Sequence, residues 1–223
     1  KALENLALAG GFDSLGESHR AQFFNPDGDG IIFLEKAIRR GGKYQDSLNS
    51  SQINLFEDDK DVLSDEIKIP ECEEWRNLEK LKKEKEVVGI YLSGHPLDDF
   101  KREMKLFSPN SLKLLSELDA IVNKELSFCG IVSTVEHKVS RTGKGWAIFQ
   151  LEDFKDVFEF KIFGEEYLRF RHFIVTDQFI RIKIKIQQGW VNRESGRSTE
   201  PRIKFNNFES LHDVITNNAK KLQ

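Results

Sequence analysis

The chain has 223 residues, 39% of them hydrophobic and 32% charged, which suits one large or two small globular domains with a modest core and a heavily charged surface. No apolar run reaches the roughly 18–20 residues of a membrane-spanning helix, so no membrane partner is expected. The net charge of −3 is unevenly divided: residues 1–125 hold 18 basic and 25 acidic side chains, residues 126–223 hold 16 and 12, which permits nucleic acid on the second half and disfavours it on the first.

In chain order, residues 2–9 read as a short helix stopped by Gly10-Gly11. A second helix is predicted over 12–24, capped by Asp13 or Ser14. Ile31, Leu34, Ala37 and Ile38 have helical spacing across 31–41. From Asp46 to about Glu71 periodicity disappears, which reads as a flexible linker. Trp75, Leu78, Leu81, Val88 and Leu92 then place one apolar face on a helix ended by Gly94, with "EKLKKEKE" as its solvated side. Pro96 starts another helix, and "PNSLKLLSELD" a short last one.

After Leu126 the period becomes two. Strands are predicted at 127–138, 146–152, 157–163, 179–186 and 202–208, with a helix over 164–174. In "FIRIKIKI" the isoleucines 180, 182, 184 and 186 face inward, and Phe179, Arg181, Lys183 and Lys185 face outward. Five antiparallel strands with a helix between the third and fourth is the order of an OB-fold β-barrel. The fold class is therefore α+β: an N-terminal all-helical region and linker, then a five-stranded OB barrel. The predicted divisions are 1–45, the linker 46–71, a helical connector 72–125, the barrel 126–211 and a tail 212–223.

Chemistry-bearing patterns are few. "NPDGDGIIFLEK" imitates a calcium loop, but Lys36 stands at the position that must supply two carboxylate oxygens, so a Pro-Asp-Gly turn is expected. The five histidines are scattered, without metal-ligand spacing. Cys72 and Cys129 read as inert thiols of a reducing compartment. No paired carboxylates, phosphate loop or nucleophile triad stands in a convincing context, so no catalytic residue, metal or cofactor is assigned to these residues. Single-stranded nucleic acid is the expected weak ligand of the barrel. Arg141 and Lys144 in the loop between strands 1 and 2, Trp146 and Lys161 on the outer face of strands 2 and 3, and Arg181, Lys183 and Lys185 on strand 4 are its candidate contacts. Glu159 and the pair Glu152-Asp153 oppose it.

One stretch of the linker stands apart. "QINLF", 52–56, puts Ile53, Leu55 and Phe56 among polar and acidic neighbours. Exposed side chains of this size imply a partner that covers them. The pentapeptide resembles the internal clamp-binding motif of bacterial replicative polymerases. "LENLALAGGFDSLG", 3–16, resembles the end of the helix-hairpin-helix region of the alpha subunit of bacterial DNA polymerase III. "EKEVVGIYLSGHPLDDF", 84–100, resembles the element preceding its OB domain, and residues 129–163 resemble the start of that domain.

The resemblance implies a fragment of a longer, cytoplasmic chain, consistent with a start at Lys1 without Met or signal peptide. The parent would be a magnesium-dependent DNA polymerase of chromosomal replication, its catalytic carboxylates lying upstream. Carried over are Gln52, Ile53, Asn54, Leu55 and Phe56 as clamp anchor; Asn54 departs from the commoner small polar residues at a position expected to face outward. The partners implied are the sliding clamp, single-stranded template and the rest of the polymerase III holoenzyme. The loop 189–201 has no role assigned. The rival reading is a stand-alone single-stranded nucleic-acid-binding OB protein, with QINLF dispensable.

Overall fold

The computed structural model describes residues 1–49, 67–189 and 200–214. The chain forms two compact units, Lys1–His95 and Pro96–Gln223, so the stretch 72–125 contributes to both. Among the described residues no helix is long and apolar enough to cross a membrane.

The first unit is helical: α1 Ala2–Leu8, α2 Arg20–Phe24, α3 Phe33–Asn49 and α4 Asn77–Val88. Its small apolar core joins Ala7, Phe23 and Leu34, with Phe12, Phe24, Ile32 and Phe33 packed around them. The helix predicted over 12–24 is reduced to α2. Residues 10–17 form turns and bends, because Asp13 is engaged by Arg20 Nη2 at 2.7 Å instead of capping a helix. Gly10 makes this possible. It has φ +88, and a Cβ there would lie 2.1 Å from the Arg20 guanidinium, so no larger residue leaves room for that side chain.

α4 is also shorter than predicted. Gly89, in the left-handed region at φ +89, stops the helix five residues before Gly94. Val88 and Leu92, assigned to its apolar face, are consequently 45% and 51% exposed. Trp75 precedes the helix and stacks on Phe24 at 5.6 Å. In the calcium-like turn, Asp27 Oδ1 accepts from the Asp29 and Ile31 amides at 2.9 and 3.2 Å, and Lys36 is ion-paired to Asp27.

The second unit opens with a 3-10 turn, Asp98–Phe100, where a helix from Pro96 is expected, then α5, Lys101–Phe107, and two further 3-10 turns, Leu112–Ser116 and Leu118–Ile121. The single helix predicted there is broken because the Leu112 amide is drawn to Asp153 Oδ2 at 2.9 Å; the turns still bury Leu112, Leu115 and Ile121. The five strands follow: β1 Glu125–Val139, β2 Gly145–Glu152, β3 Val157–Phe163, β4 Phe179–Gln187 and β5 Arg202–Ser210, with α6 Gly164–Phe170 between β3 and β4.

All pairings are antiparallel in the order β3-β2-β1-β4-β5, an OB-like barrel as the strand order predicts. β1 is long enough to serve both halves: residues 125–131 pair with β4 and 131–139 with β2. An irregularity between Val132 and Thr134 bends it. The edges β3 and β5 meet through the core, where the Phe160 and Phe205 rings pack edge to face with centroids 5.8 Å apart. Ile180, Ile182, Ile184 and Ile186 are all buried, and α6 contributes Tyr167 and Phe170.

Candidate nucleic-acid interface

The loop between β1 and β2 is tight. Ser140 N–H donates to the Lys144 carbonyl at 2.9 Å and Gly143 N–H to the Ser140 carbonyl at 2.9 Å. Gly143 has φ +76, which a glycine adopts without strain. The closed turn leaves Arg141 and Lys144 exposed.

Beside it the outer face of β1-β2-β3 carries three rows fixed by register: Lys138–Trp146–Phe163, Glu136–Ile148–Lys161 and Thr134–Gln150–Glu159. Trp146 and Phe163 stack with centroids 5.3 Å apart and planes at 19°. Lys138 Nζ lies 5.5 Å from the Trp146 ring centre. Phe163 is 55% exposed, so the two rings form a ledge open to solvent on one side. Such a ledge can accept a nucleobase, since every base has a π-face. The charges around it alternate: Lys138 with Glu136 at 2.6 Å, Lys161 with Glu159 at 3.5 Å. Phe163 and Lys138 are the members of this face that the candidate set from sequence lacked. An aromatic at the outward end of β3's alternation is the signal for the first; the cross-strand register alone finds the second.

Arg141, Lys144, Trp146 and Lys161 are thus brought together at one corner of the barrel. Arg181, Lys183 and Lys185 are not part of it. Lys185 pairs across β1 with Glu125 and Trp146 with Lys138; those two β1 positions are separated by up to about 40 Å of strand contour at 3.3 Å per residue.

Arg181, predicted to face solvent, is 2% exposed. Its guanidinium is ion-paired to Glu209 and lies 5.4 Å from the Phe107 ring. The physical reason is the segment around α5, which covers the outward side of β1 and β4 here; Ser108 Oγ donates to the Ser127 carbonyl at 2.6 Å. Burial in the same layer pushes the Cys129 thiol up to about 12, against the Ser108 hydroxyl and Arg181, which lower it. This thiol stays protonated and inert, and both cysteines are free.

Glu152 and Asp153, expected to oppose a polyanion, are buried. Asp153 Oδ1 accepts from the Lys155 and Asp156 amides at 2.8 Å each, so its carboxylate holds the β2–β3 turn. Among the described residues no cluster of His, Cys, Asp and Glu is arranged to hold a metal ion. Gln52, Ile53, Asn54, Leu55 and Phe56 lie outside the described residues, as does most of the loop 189–201.

Against known proteins, no family model matches the chain. Curated relatives do, along almost all of it. The DNA polymerase III subunit alpha of Borreliella burgdorferi is 29% identical over 228 residues, covering 98% of this chain. This chain is a relative of DNA polymerase III subunit alpha. The same subunit of Mycobacterium tuberculosis H37Rv is 30% identical over 83% of the chain, and that of Neisseria meningitidis serogroup A 26% over all of it. The chain spans only 15 to 18% of the length of these alpha subunits. The match runs through the helical unit and the barrel alike, so it concerns both units rather than a barrel shared with unrelated proteins.

Proposed function

We propose that this chain is a non-catalytic part of a replicative DNA polymerase alpha subunit, tethering the polymerase to its sliding clamp and contacting single-stranded template. The observation that carries this reading is the match to alpha subunits across 98% of the chain. A stand-alone barrel would have no reason to keep the helical unit in the same order. The anchor is Gln52, Ile53, Asn54, Leu55 and Phe56, with the amide for directed hydrogen bonds and Leu55 and Phe56 for one apolar cleft. The template contact is the ledge of Trp146 and Phe163 with Arg141, Lys144 and Lys161 beside it; Lys183 and Lys185 contribute from another part of the barrel.

The physical logic is effective concentration. A ring around DNA does not leave it readily, so a peptide link to the ring turns rebinding of the primer end into an intramolecular event. Weak docking, on the order of micromolar, suffices and permits exchange of partners on one clamp. Weak single-strand contact is equally suitable, since a tight grip would oppose translocation. Nucleotide transfer, with its magnesium, belongs to parts of the subunit beyond these residues.

The test is titration of the chain against a bacterial sliding clamp. Leu55→Ala with Phe56→Ala removes two apolar anchors, each worth on the order of 1.5–3 kcal/mol, and should abolish measurable binding. Undiminished affinity would remove the tether. Robust primer extension by the isolated chain with magnesium and all four deoxynucleotides would overturn the non-catalytic assignment.

A further inference from the structure

The outer face of the β4–β5 hairpin changes character along its length. Register sets its rows across β1, β4 and β5: Cys129–Arg181–Glu209, then Ser127–Lys183–Asn207, then Glu125–Lys185–Lys204, and beyond them Gln187 opposite Arg202. The first row is buried beside Phe107. The last rows are open, with Arg202 and Lys204 exposed.

Lys185 and Lys204 stand directly opposite each other on one face, an arrangement that destabilises a strand pair by repulsion. Lys183 and Arg202 extend the same sign on either side. None of the four forms an ion pair among the described residues. Two carboxylates lie near. Glu125 pairs across from Lys185 and accepts from Asn206 Nδ2 at 3.5 Å. Glu166 is raised by burial, with the Phe205 amide and Lys204 opposing that rise. Four cations therefore outweigh these two acids and the exposed Glu200 two residues before Arg202, and from Lys183 onward the outward positions of the described strands carry no aromatic ring. Among the described residues this half-face offers charge for a polyanion and no ring on which to stack a base.

We propose that the open half of this face, Lys183, Lys185, Arg202 and Lys204, docks the phosphate backbone of nucleic acid without reading or stacking its bases. This goes beyond the template contact above by adding Arg202 and Lys204 and by separating this face from the Trp146 ledge. It rests on that reading only for the choice of nucleic acid as the polyanion. Retaining a like-charged cross-strand pair is explained when a phosphate chain lies over it and neutralises both members.

The experiment is fluorescence anisotropy of the full chain with labelled single-stranded and duplex oligonucleotides of about 20 nucleotides, across a salt series. Arg202→Ala with Lys204→Ala should weaken binding about tenfold at low salt. The log–log salt slope should become shallower by about 1.4 for the single strand or about 1.8 for the duplex, as two phosphate contacts are lost. The probe that responds more identifies the form bound. Lys204→Gln removes the repulsion between the opposed lysines without setting a second acid beside Glu166, so its melting temperature should hold while affinity falls, which separates binding from misfolding. Unchanged affinity for both probes in these variants overturns the proposal. If Trp146→Ala weakens single-strand binding while the hairpin variants do not, the ledge reading stands and this one fails. The opposite pattern removes the ledge and keeps the hairpin.

Discussion

The two units are held together by different means. In the barrel, isoleucine and phenylalanine side chains from all five strands form one continuous apolar core. In the helical unit the described apolar core is small, a cluster of Ala7, Phe23 and Leu34 with Ala21 and Leu81 also buried, and much of the remaining order comes from a charged network. Arg20 Nη1 donates to Glu84 at 2.7 Å, Nη2 to Asp13 at 2.7 Å and Nη1 also to the Leu8 carbonyl at 3.2 Å. Glu84, 0% exposed, accepts in turn from the Leu92 amide, the Ser93 amide and the Ser93 hydroxyl at 2.8, 3.0 and 2.6 Å. One arginine and one glutamate thus connect α1, the 10–17 turns, α2, α4 and the segment after Gly89. The difference teaches that a small helical unit can be specified by satisfied charge where it lacks apolar area. Its stability then depends on pH, whereas an apolar core has nothing to protonate.

The largest expected effect is in the barrel. Phe149 is fully buried against Phe160, Phe205 and Phe208, and Phe149→Ala should cost about 3–5 kcal/mol, read as a fall in the urea midpoint of the barrel signal. A change below about 1 kcal/mol would mean the core is less continuous than described. Next comes Glu84→Gln, which leaves Arg20 buried with one fewer charge partner and should cost about 3 kcal/mol. Hydrogen exchange should show the loss in residues 1–49 and 77–93 and leave β1 and β2 protected; a uniform loss would erase the contrast between the units.

The acid response sharpens the same contrast. Burial alone would raise the Glu84 carboxyl, but the Ser93 hydroxyl and amide, Arg20 and the Leu92 amide together bring it from about 4.5 to about 2. Asp13 is lowered as well, chiefly by its hydrogen bond from Arg20. A carboxylate depressed on folding contributes stability that is complete above its unfolded value and is lost as pH falls through its folded one. Amides of the helical unit should therefore lose protection progressively from about pH 4.5 towards 2. Protection that is flat over this window would contradict the role given to Glu84. The smallest effect on stability is expected for Trp146→Ala, under about 1.5 kcal/mol because the ring only stacks on an exposed neighbour. Its single-strand affinity should nonetheless fall by about 1–3 kcal/mol. A barrel that unfolds in this variant would make the ledge a structural element.

The strands were readable from alternation because a barrel buries one side of each strand, and period two survives any detail of packing; β3 matches its predicted span and the others differ by one or two residues at their ends. The helix limits were less readable. Gly89 and Gly94 are both plausible stops on composition, and the choice follows from Ser93 and the Leu92 amide being drawn back to Glu84. Among the candidate contacts, Arg141, Lys144, Trp146 and Lys161 share a corner because a hairpin is local. Arg181 was misplaced because alternation states which side of a strand a residue occupies, not whether that side is wet.

Features that depend on near neighbours were legible in the residues alone: the α+β order, the inward isoleucines of β4, the tight β1–β2 loop, and the resemblance to polymerase III alpha subunits that the relatives bear out. Features that depend on distant segments came only with the packed chain. The segment around α5 covers half of an outward face and turns Arg181 into a buried ion pair. Arg20 finds Glu84 64 residues away. β1 bends so that its two ends serve different strands, keeping the lysines of β4 apart from the Trp146 ledge. The physical reason is the same in each case: a side chain's environment is set by whatever packs over it, and local pattern carries no information about which remote segment that is.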